Sequence, residues 1–588
     1  MSTKHFFSST EGVVVLGLES LVTRNKHLVL DEANKVVYSR THARSKVAVI
    51  SGGGSGHEPA WSGYVGDGML AAAVNGEVFA SPSTKQIMAA IGHVQSDVGI
   101  ILCITNYTGD NLHFGLAREK ALGLGHKVEI LRMTDDVALG CNQTKNLGRR
   151  GLAGNMFVLK FCGSASEAGL PFEQCFAIGQ AVNDNCVTVG SSLDHCHIPG
   201  REHHRAIPQN AYVLGMGIHN EPGLHEVDPM PSVEELVAEM LKYCLDPKDA
   251  DRAFVEFKPD DAVLLLINNF GGMSNFELEA LTTVTRRMLK RDWQTVPQRE
   301  YAQCFETSLN APGWSISLLN LSGIERATQV TVPKLLQLLD SPTAAPAWPK
   351  NGYRDIDTHQ TSLQAASQSQ TAQDAGPRIH PEPFNRALRQ ACAACIKAEP
   401  DLTRWDIQMG DGDCGEAVVG MCRGIIARLD LDQFKSGRLC DALDEIGEAV
   451  EEIGGTLGAI IAIIVASFNA NLRKLAADIS VLDVAVLRQA AGQALRHLME
   501  YTSARIGGRT VMDALIPFCE IFESSGSLGK AVQATHAGAE STRGMKASFG
   551  RATYVGEQQA QAADSPPDPG AMAAAIFLQG LMEGWSTT

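Results

Sequence analysis

The chain has 588 residues, enough for roughly two to four domains rather than one core. With 44% hydrophobic and 20% charged residues it has the make-up of a soluble globular protein. Its formal charge of -16 and the lack of a dense basic cluster argue against nucleic-acid and anionic-membrane partners, and any bound phosphate would need glycine amides or a metal to offset repulsion.

The start of the chain, "MSTKHFFSSTEG", shows no secretory signal. Alternating apolar strands, polar or glycine-rich loops and helical stretches then follow. "KVAVI" (Lys46 to Ile50) leads into "SGGGSGHEP", "VGIILCIT" (Val98 to Thr105) into "NYTGDN", and "AVLLLIN" (Ala262 to Asn268) into "NFGGMS". Strands apolar on both faces predict an α/β sheet covered by helices, with ligands held at the strands' carboxyl ends. "GGGSGHEP" (Gly52 to Pro59) can turn amides toward an anion or hydroxyl; it also reads as a tight strand–helix turn. It is no P-loop, because no Lys-Ser/Thr follows at the required spacing.

Alone, Asp110 reads as a turn former or helix cap, and His219 in "GMGIHNEPG" as a structural histidine. Taken together, three strand-terminal loops offer His57, Asp110 and His219 among glycines. A neutral imidazole attacks a carbonyl carbon, a carboxylate takes a proton from a substrate hydroxyl, and flanking glycines leave room for the approach. The cluster "DHCHIPGREHH" (Asp194 to His204) matches no closed zinc spacing and reads as a polar loop.

Segments rich in Ser, Gln, Ala, Thr and Pro between Ser341 and Arg378 predict a flexible linker, placed at 341–380. It separates an α/β domain, 1–340, from a helical one, 381–588. The latter reads as a bundle of roughly six to nine helices. Its run Leu457 to Phe468 is too short to span a bilayer and is expected to be a buried helix. In "WDIQMGDGDCGEA", Asp406, Asp411 and Asp413 precede a helix. Hard oxygen ligands suit Mg²⁺, and the helix start suits phosphate; simple capping by Asp413 with Glu416 is the alternative. Fourteen cysteines without a framework point to reduced thiols and a cytoplasmic setting, and "GWSTT" is no peroxisomal address.

"GGGSGHEP", "NYTGD", "GMGIHNEPG", "GDGDCG", "GRATY" and "DPGA" occur in the order found in the single-chain ATP-dependent dihydroxyacetone kinases, which the chain resembles over nearly its whole length. The resemblance implies a multidomain fold: an N-terminal α/β kinase domain of two subdomains and a C-terminal all-α helical barrel that holds nucleotide. It implies that His219 forms a hemiaminal with the substrate ketone, with His57 and Asp110 as catalytic partners. Gly54, Ser55, Gly56, His57, Thr105 and Asp110 are then expected at the substrate.

Asp406, Asp411 and Asp413 are expected to hold two Mg²⁺ ions. Asp411, Gly412, Asp413, Cys414, Thr456, Leu457, Arg509, Thr510 and the turn Asp568, Pro569, Gly570 are expected at ATP. The implied reaction is phosphorylation of dihydroxyacetone, with glyceraldehyde as a further substrate, in a cytoplasmic homodimer without membrane insertion. Cyclising cleavage of FAD and triose sensing with weak turnover are the alternatives. Three positions depart from the family pattern: Thr105 stands where Lys is common, Leu457 replaces a Ser, and Gly508 replaces an Asp.

Overall fold

The computed structural model describes all residues except 1–3, 145–147, 202–204, 222, 351–376, 410–411, 452–454, 477–482, 549–564 and 587–588. The chain divides into two compact units, 1–360 and 361–588.

The first unit contains two six-stranded sheets. The first uses β1 (Leu28–Asp31), β2 (Val36–Ser39), β3 (Ala48–Ser55), β4 (Ala72–Val78), β5 (Ile100–Thr105) and β6 (Val128–Met133), in the order β1-β2-β4-β3-β5-β6. Strands β4, β3, β5 and β6 run parallel, and every residue of β3 and β5 is buried. The second sheet uses β7 (Cys186–Ser192), β8 (Tyr212–Leu214), β9 (His225–Val227), β10 (Val263–Asn269), β11 (Arg299–Gln303) and β12 (Gly313–Asn320), in the order β11-β10-β12-β7-β8-β9. There only β10 and β11 run parallel.

The continuous apolar runs noted in the sequence follow from this layering. Helices Thr84–His93 and Thr108–Gly123 cover one face of the first sheet through Ile87, Ile91, Phe114 and Ala117. Helices Val233–Leu245 and Asn275–Trp293 belong to the core on one face of the second. The largest core joins both sheets. It contains Val49 and Ile101 of the first, Leu264 and Leu319 of the second, and helix Asn155–Glu167, which is buried from Asn155 to Ser166.

The expectation of a linker from Ser341 onward needs correction. Residues up to Trp348 lie on the first unit. Ala344 N–H donates to the Asp67 carbonyl, Ala347 N–H to that of Gly63, and Lys160 Nζ to that of Ser341. Trp348, 5% exposed, packs its ring against Phe157, Tyr301 and Phe305. Truncating such a tryptophan costs about 3–5 kcal/mol, which a mobile tether would not risk. The rest of the expected linker, 351–376, lies outside the described residues.

The second unit has eight helices among its described residues: Pro381–Met409, Cys414–Asp430, Leu439–Glu451, Gly455–Leu475, Val484–Tyr501, Met512–Ser525, Leu528–Ser541 and Pro569–Ser586. Each packs on the next, and the last returns to the first, so the ring closes into a barrel. Its interior is an apolar cavity of about 650 Å³. That cavity corrects a second expectation. Helix Gly455–Leu475 is longer than its apolar run and long and apolar enough to meet the length requirement of a membrane span. It is not packed in a solid core: Ile461, Ile464, Val465 and Phe468 line the cavity instead.

Candidate active site

The glycines of "SGGGSGHEP" do not form a loop. Gly52 and Gly53 are ladder residues of β3, opposite Val74 and Asn75, and the register shifts only between Gly53 and Ser55. A Cβ on Gly52 would lie 2.4 Å from the Val74 carbonyl oxygen, so glycine lets β4 pass. The Ser55 hydroxyl donates to the Gly76 carbonyl at 2.8 Å, and the Gly56 N–H to the Glu58 carboxylate. What this segment contributes directly is His57, 2% exposed at the carboxyl end of the strand.

His219 follows β8 of the other sheet, and the two imidazoles meet. Their Nε2 atoms are 3.0 Å apart, with the rings edge to face. His57 Nδ1 lies 2.7 Å from the Thr307 carbonyl oxygen, and His219 Nδ1 lies 3.1 Å from Glu221 Oε1. A carbonyl and a carboxylate only accept, so both Nδ1 atoms carry protons and both Nε2 atoms turn toward each other. Burial, then the neighbouring His219, push His57 down to about 3. Burial raises Glu221, but the hydrogen bonds and charge of His219, with Arg150 behind, outweigh it and hold the carboxyl at about 2.

Phe79 and Tyr107 close the aromatic wall, with centroids 5.1 and 4.7 Å from that of His219. Phe79 has φ 59°, an unfavourable backbone state for a bulky residue that is typical of functional sites.

The glycines around His219 have a purpose other than clearing its approach. A Cβ on Gly217 would sit 2.1 Å from Glu221 Oε2 and 2.6 Å from Arg150 Nη1. The missing side chain makes room for the carboxylate that turns back onto the ring. Gly215, at φ 74°, makes the bend out of β8, and its carbonyl accepts from Arg150 Nη2 at 2.8 Å.

Both histidine loops are tied by the segment between β11 and β12. Asn268 at the end of β10 accepts from the N–H groups of Phe305 and Glu306 and donates to the Glu306 carbonyl. Thr307 N–H donates to the His57 carbonyl while its own carbonyl accepts from the His57 ring, and the Ser308 hydroxyl donates to the Ile218 carbonyl at 2.6 Å. Asn220, at φ 62°, bonds both backbone groups of Cys196, so the described part of the histidine-rich loop, 194–201, braces the site.

Asp110 is not in a loop either. It lies in the first turn of helix Thr108–Gly123, 5% exposed, directly after β5. Burial raises it to about 6 against hydrogen bonds from Ser81 and Thr105 and the charge of His219. Thr105 Oγ1 is 3.4 Å from Oδ2, while Oδ1 is buried and has no hydrogen-bond partner among the described residues. A carboxylate that titrates near neutrality and keeps one acceptor unused is equipped to take a hydroxyl proton.

In the helical unit, Asp406 Oδ2 accepts the Cys414 N–H at 3.0 Å, so Asp406 caps the following helix; Asp413 makes no cap bond. Asp568 accepts from Ala571 N–H at the start of the last helix, and Gly570 has both Asp568 and Leu457 as neighbours. It is pushed up to about 6, first by burial and then also by the charges of Asp513 and Asp406, with Arg509 opposing. Arg509 is 1% exposed at φ 57°. Its Nη2 donates to the Pro566 carbonyl, while Nε and Nη1 are buried without partners among the described residues.

Where the family pattern has an Asp, Gly508 leaves the turn to Asp513, whose oxygens accept from Gly507 and Thr510 N–H. Thr456 is exposed. Asp411 and "GRATY" (Gly550 to Tyr554) lie outside the described residues, and among the described ones no three acidic, His or Cys side chains form a metal-holding set. The donors that are present fit a divalent cation with phosphate. Asp513 and Asp406 add to the rise of the buried Asp568, and a buried guanidinium retains unused donors.

An α/β half that pairs two imidazoles with a buried carboxylate, and a helical half that gathers aspartates beside a buried arginine, define a two-domain phosphotransferase architecture. Residues 19–347 match the Dak1 domain and residues 408–583 the DAK2 domain. The chain is 38% identical to the dihydroxyacetone kinase of Pichia angusta, covering 100% of this chain and 99% of the relative. It is 32% identical to the human triokinase/FMN cyclase, covering 99% of each. The crystal structure of the dihydroxyacetone kinase from C. freundii in complex with AMP-PNP and Mg²⁺ superposes with TM-score 0.61 at 28% identity, over 99% of this chain and 100% of that one. The chain belongs to the dihydroxyacetone kinase family.

Sequence reasoning missed Glu221, Thr307, Ser308, Arg150, Tyr107 and Phe79. Glu221, two residues after His219 in a glycine-rich turn, carried a readable signal. Thr307 acts through its carbonyl and carried none.

Proposed function

We propose that the chain is an ATP-dependent dihydroxyacetone kinase that captures the ketone on His219. The observation that carries this reading is the Nε2–Nε2 contact between two rings whose Nδ1 protons are both committed. At 3.0 Å the two lone pairs repel unless one shared proton lies between them. When the ketone enters, that proton passes to His57, and His219 Nε2 is free to attack C2. As the C–N bond forms, His57 returns the proton to the carbonyl oxygen, which becomes a hydroxyl. The alkylated His219 ring keeps one positive charge, facing ionised Glu221. Charge and protons balance without outside help.

Asp110 then removes the proton of a terminal hydroxyl while that oxygen accepts the γ-phosphoryl group of ATP. Capture contributes by positioning the hydroxyl. Asp406, Asp411 and Asp413 would hold two Mg²⁺ ions, which neutralise phosphoryl charge when bound. Arg509, Asp568 and the helix start at Thr456 and Leu457 would contact the nucleotide. Glyceraldehyde also carries a carbonyl beside a hydroxyl and fits the same chemistry. A homodimer in the cytoplasm completes the reading, supported for the compartment by fourteen free cysteines.

The test combines two readouts on the full chain. Dihydroxyacetone labelled with ¹³C at C2 should move from a ketone to an sp³ resonance on binding, and not with His219→Ala. ADP release with Mg-ATP should follow dihydroxyacetone and not glycerol, which has no carbonyl. Equal turnover of glycerol would remove the covalent capture.

The name of the human relative favours a second reading, cyclising cleavage of FAD at the helical unit. It uses the aspartates but not His219, so His219→Ala should lose kinase activity and keep FAD cleavage.

A further inference from the structure

The segment that ties the two histidine loops carries an acid that the phosphotransfer chemistry leaves unused. Glu306 is 0% exposed, and neither carboxyl oxygen has a hydrogen-bond partner among the described residues. Its backbone is clamped by Asn268 on both sides. The next carbonyl, that of Thr307, receives His57 Nδ1–H at 2.7 Å, and the preceding one, that of Phe305, receives the Tyr64 hydroxyl at 2.8 Å.

The ionisable groups that act on it are Tyr64, Tyr107 and Asp135. Tyr64 follows β3, Tyr107 precedes the Asp110 helix and lies edge-on to His219, and Asp135 follows β6. None of them is a cation, and Asp135 is itself a fully buried acid. Ser315 Oγ, in the strand beside Asn268, is likewise buried without a partner among the described residues. A carboxylate in such surroundings has nothing to stabilise its charge, so the group keeps its proton.

We infer that Glu306 is a positioning residue for ketone capture: a neutral carboxylic acid inside the segment that holds Thr307 against His57, and one that loosens that segment when it ionises. The inference rests on the reading of His219 as the ketone trap. An unpaired charge at Glu306 is relieved by opening residues 305–309 to water. That withdraws the Thr307 carbonyl from His57 Nδ1 and frees the ring to turn. Capture therefore declines toward alkaline pH. Loss of the proton shared by His57 and His219 also lowers capture at alkaline pH, but in wild type and Glu306 variants alike, so the Glu306 effect is the part of the fall that a variant lacks.

Stability follows the same sign. Burial holds the folded-state value well above the usual glutamate range. Stability is thus complete at acid pH and is lost as the pH rises toward the folded-state value.

The test uses the full-length protein with Glu306→Gln, and Glu306→Met as a second variant should the amide fail to fold. The infrared difference spectrum, wild type minus variant at neutral pH, should contain a neutral-carboxyl C=O band that shifts on deuteration. Adduct measured with C2-labelled dihydroxyacetone should fall about tenfold per pH unit above the Glu306 transition in wild type, and this part of the fall should be absent from the variant. The variant should also melt higher than wild type, by a margin that grows with pH. Absence of the band, or an identical alkaline fall in wild type and variant, overturns the inference. If wild type forms no adduct at any pH, the reading of His219 fails instead, and the infrared band still decides the state of Glu306.

Discussion

Replacing Glu221 by Gln should uncouple the covalent step from the rest of catalysis. Gln has one carbonyl oxygen, so it can accept from the His219 N–H, now 2.8 Å from Oε2, or from Nδ1–H, now 3.1 Å from Oε1, but not from both. What it loses is one of the two contacts and the charge. Hydrogen bonds to charged groups contribute about 1.5–3 kcal/mol. The Glu221 side chain is 30% exposed and one of its two contacts survives, so the lower part of that range applies. About 1.5–2 kcal/mol corresponds to a 10- to 30-fold loss of adduct.

The assay is titration with C2-labelled dihydroxyacetone, with the bound carbon observed directly. Glu221 is held at about 2, so its contribution is present above the ordinary glutamate range and is lost as the pH falls toward that value. Wild type and variant should converge in strong acid. An adduct population within twofold of wild type at neutral pH would refute the argument, since the ring would then owe neither its tautomer nor its charge to the carboxylate.

Asp110→Asn should retain the adduct and lose about 10²- to 10⁴-fold in turnover. In wild type the turnover should fall as the pH drops through about 6, where burial has moved this acid; ionising it costs stability as the pH rises to that point, so the Asn variant should melt higher at neutral pH. Gly217→Ala would place a Cβ 2.1 Å from Glu221 Oε2. It should reproduce the adduct loss of Glu221→Gln and lower stability by about 1–3 kcal/mol, measurable by denaturant titration. Arg509→Met should hold or raise the melting temperature, because it removes a buried charge with two unused donors. The same change should weaken ATP binding about 10- to 100-fold by calorimetry.

Residue types alone singled out His57, Asp110 and His219 as candidates, because glycine-rich segments after apolar strands mark where a backbone bends at a sheet's carboxyl edge. They misjudged what the glycines do. Gly52 lets a neighbouring strand pass, and Gly217 lets a carboxylate fold back; both are packing requirements that only the tertiary fold creates. Glu221 was passed over although it stands two residues after His219, where the turn brings its carboxylate back to the ring. Thr307 acts through backbone groups, which any residue type could supply, and Asn268 through a side-chain amide whose partners lie far along the chain. In the helical half, spacing revealed the aspartates before Cys414. That the helices close around a cavity follows from the last helix returning to the first, which no local pattern encodes. Leu457, read as a lost hydroxyl, packs beside Gly570 and Val511 at the foot of the last helix.

One imidazole hangs from each of the two sheets, and they touch through a single 3.0 Å contact. The sheets share one continuous core, so a slip of one against the other by even an ångström would part the rings before it disturbed either fold. The nucleophile is thereby a gauge of alignment between the two halves of its own domain, and it stays armed only while they remain in step.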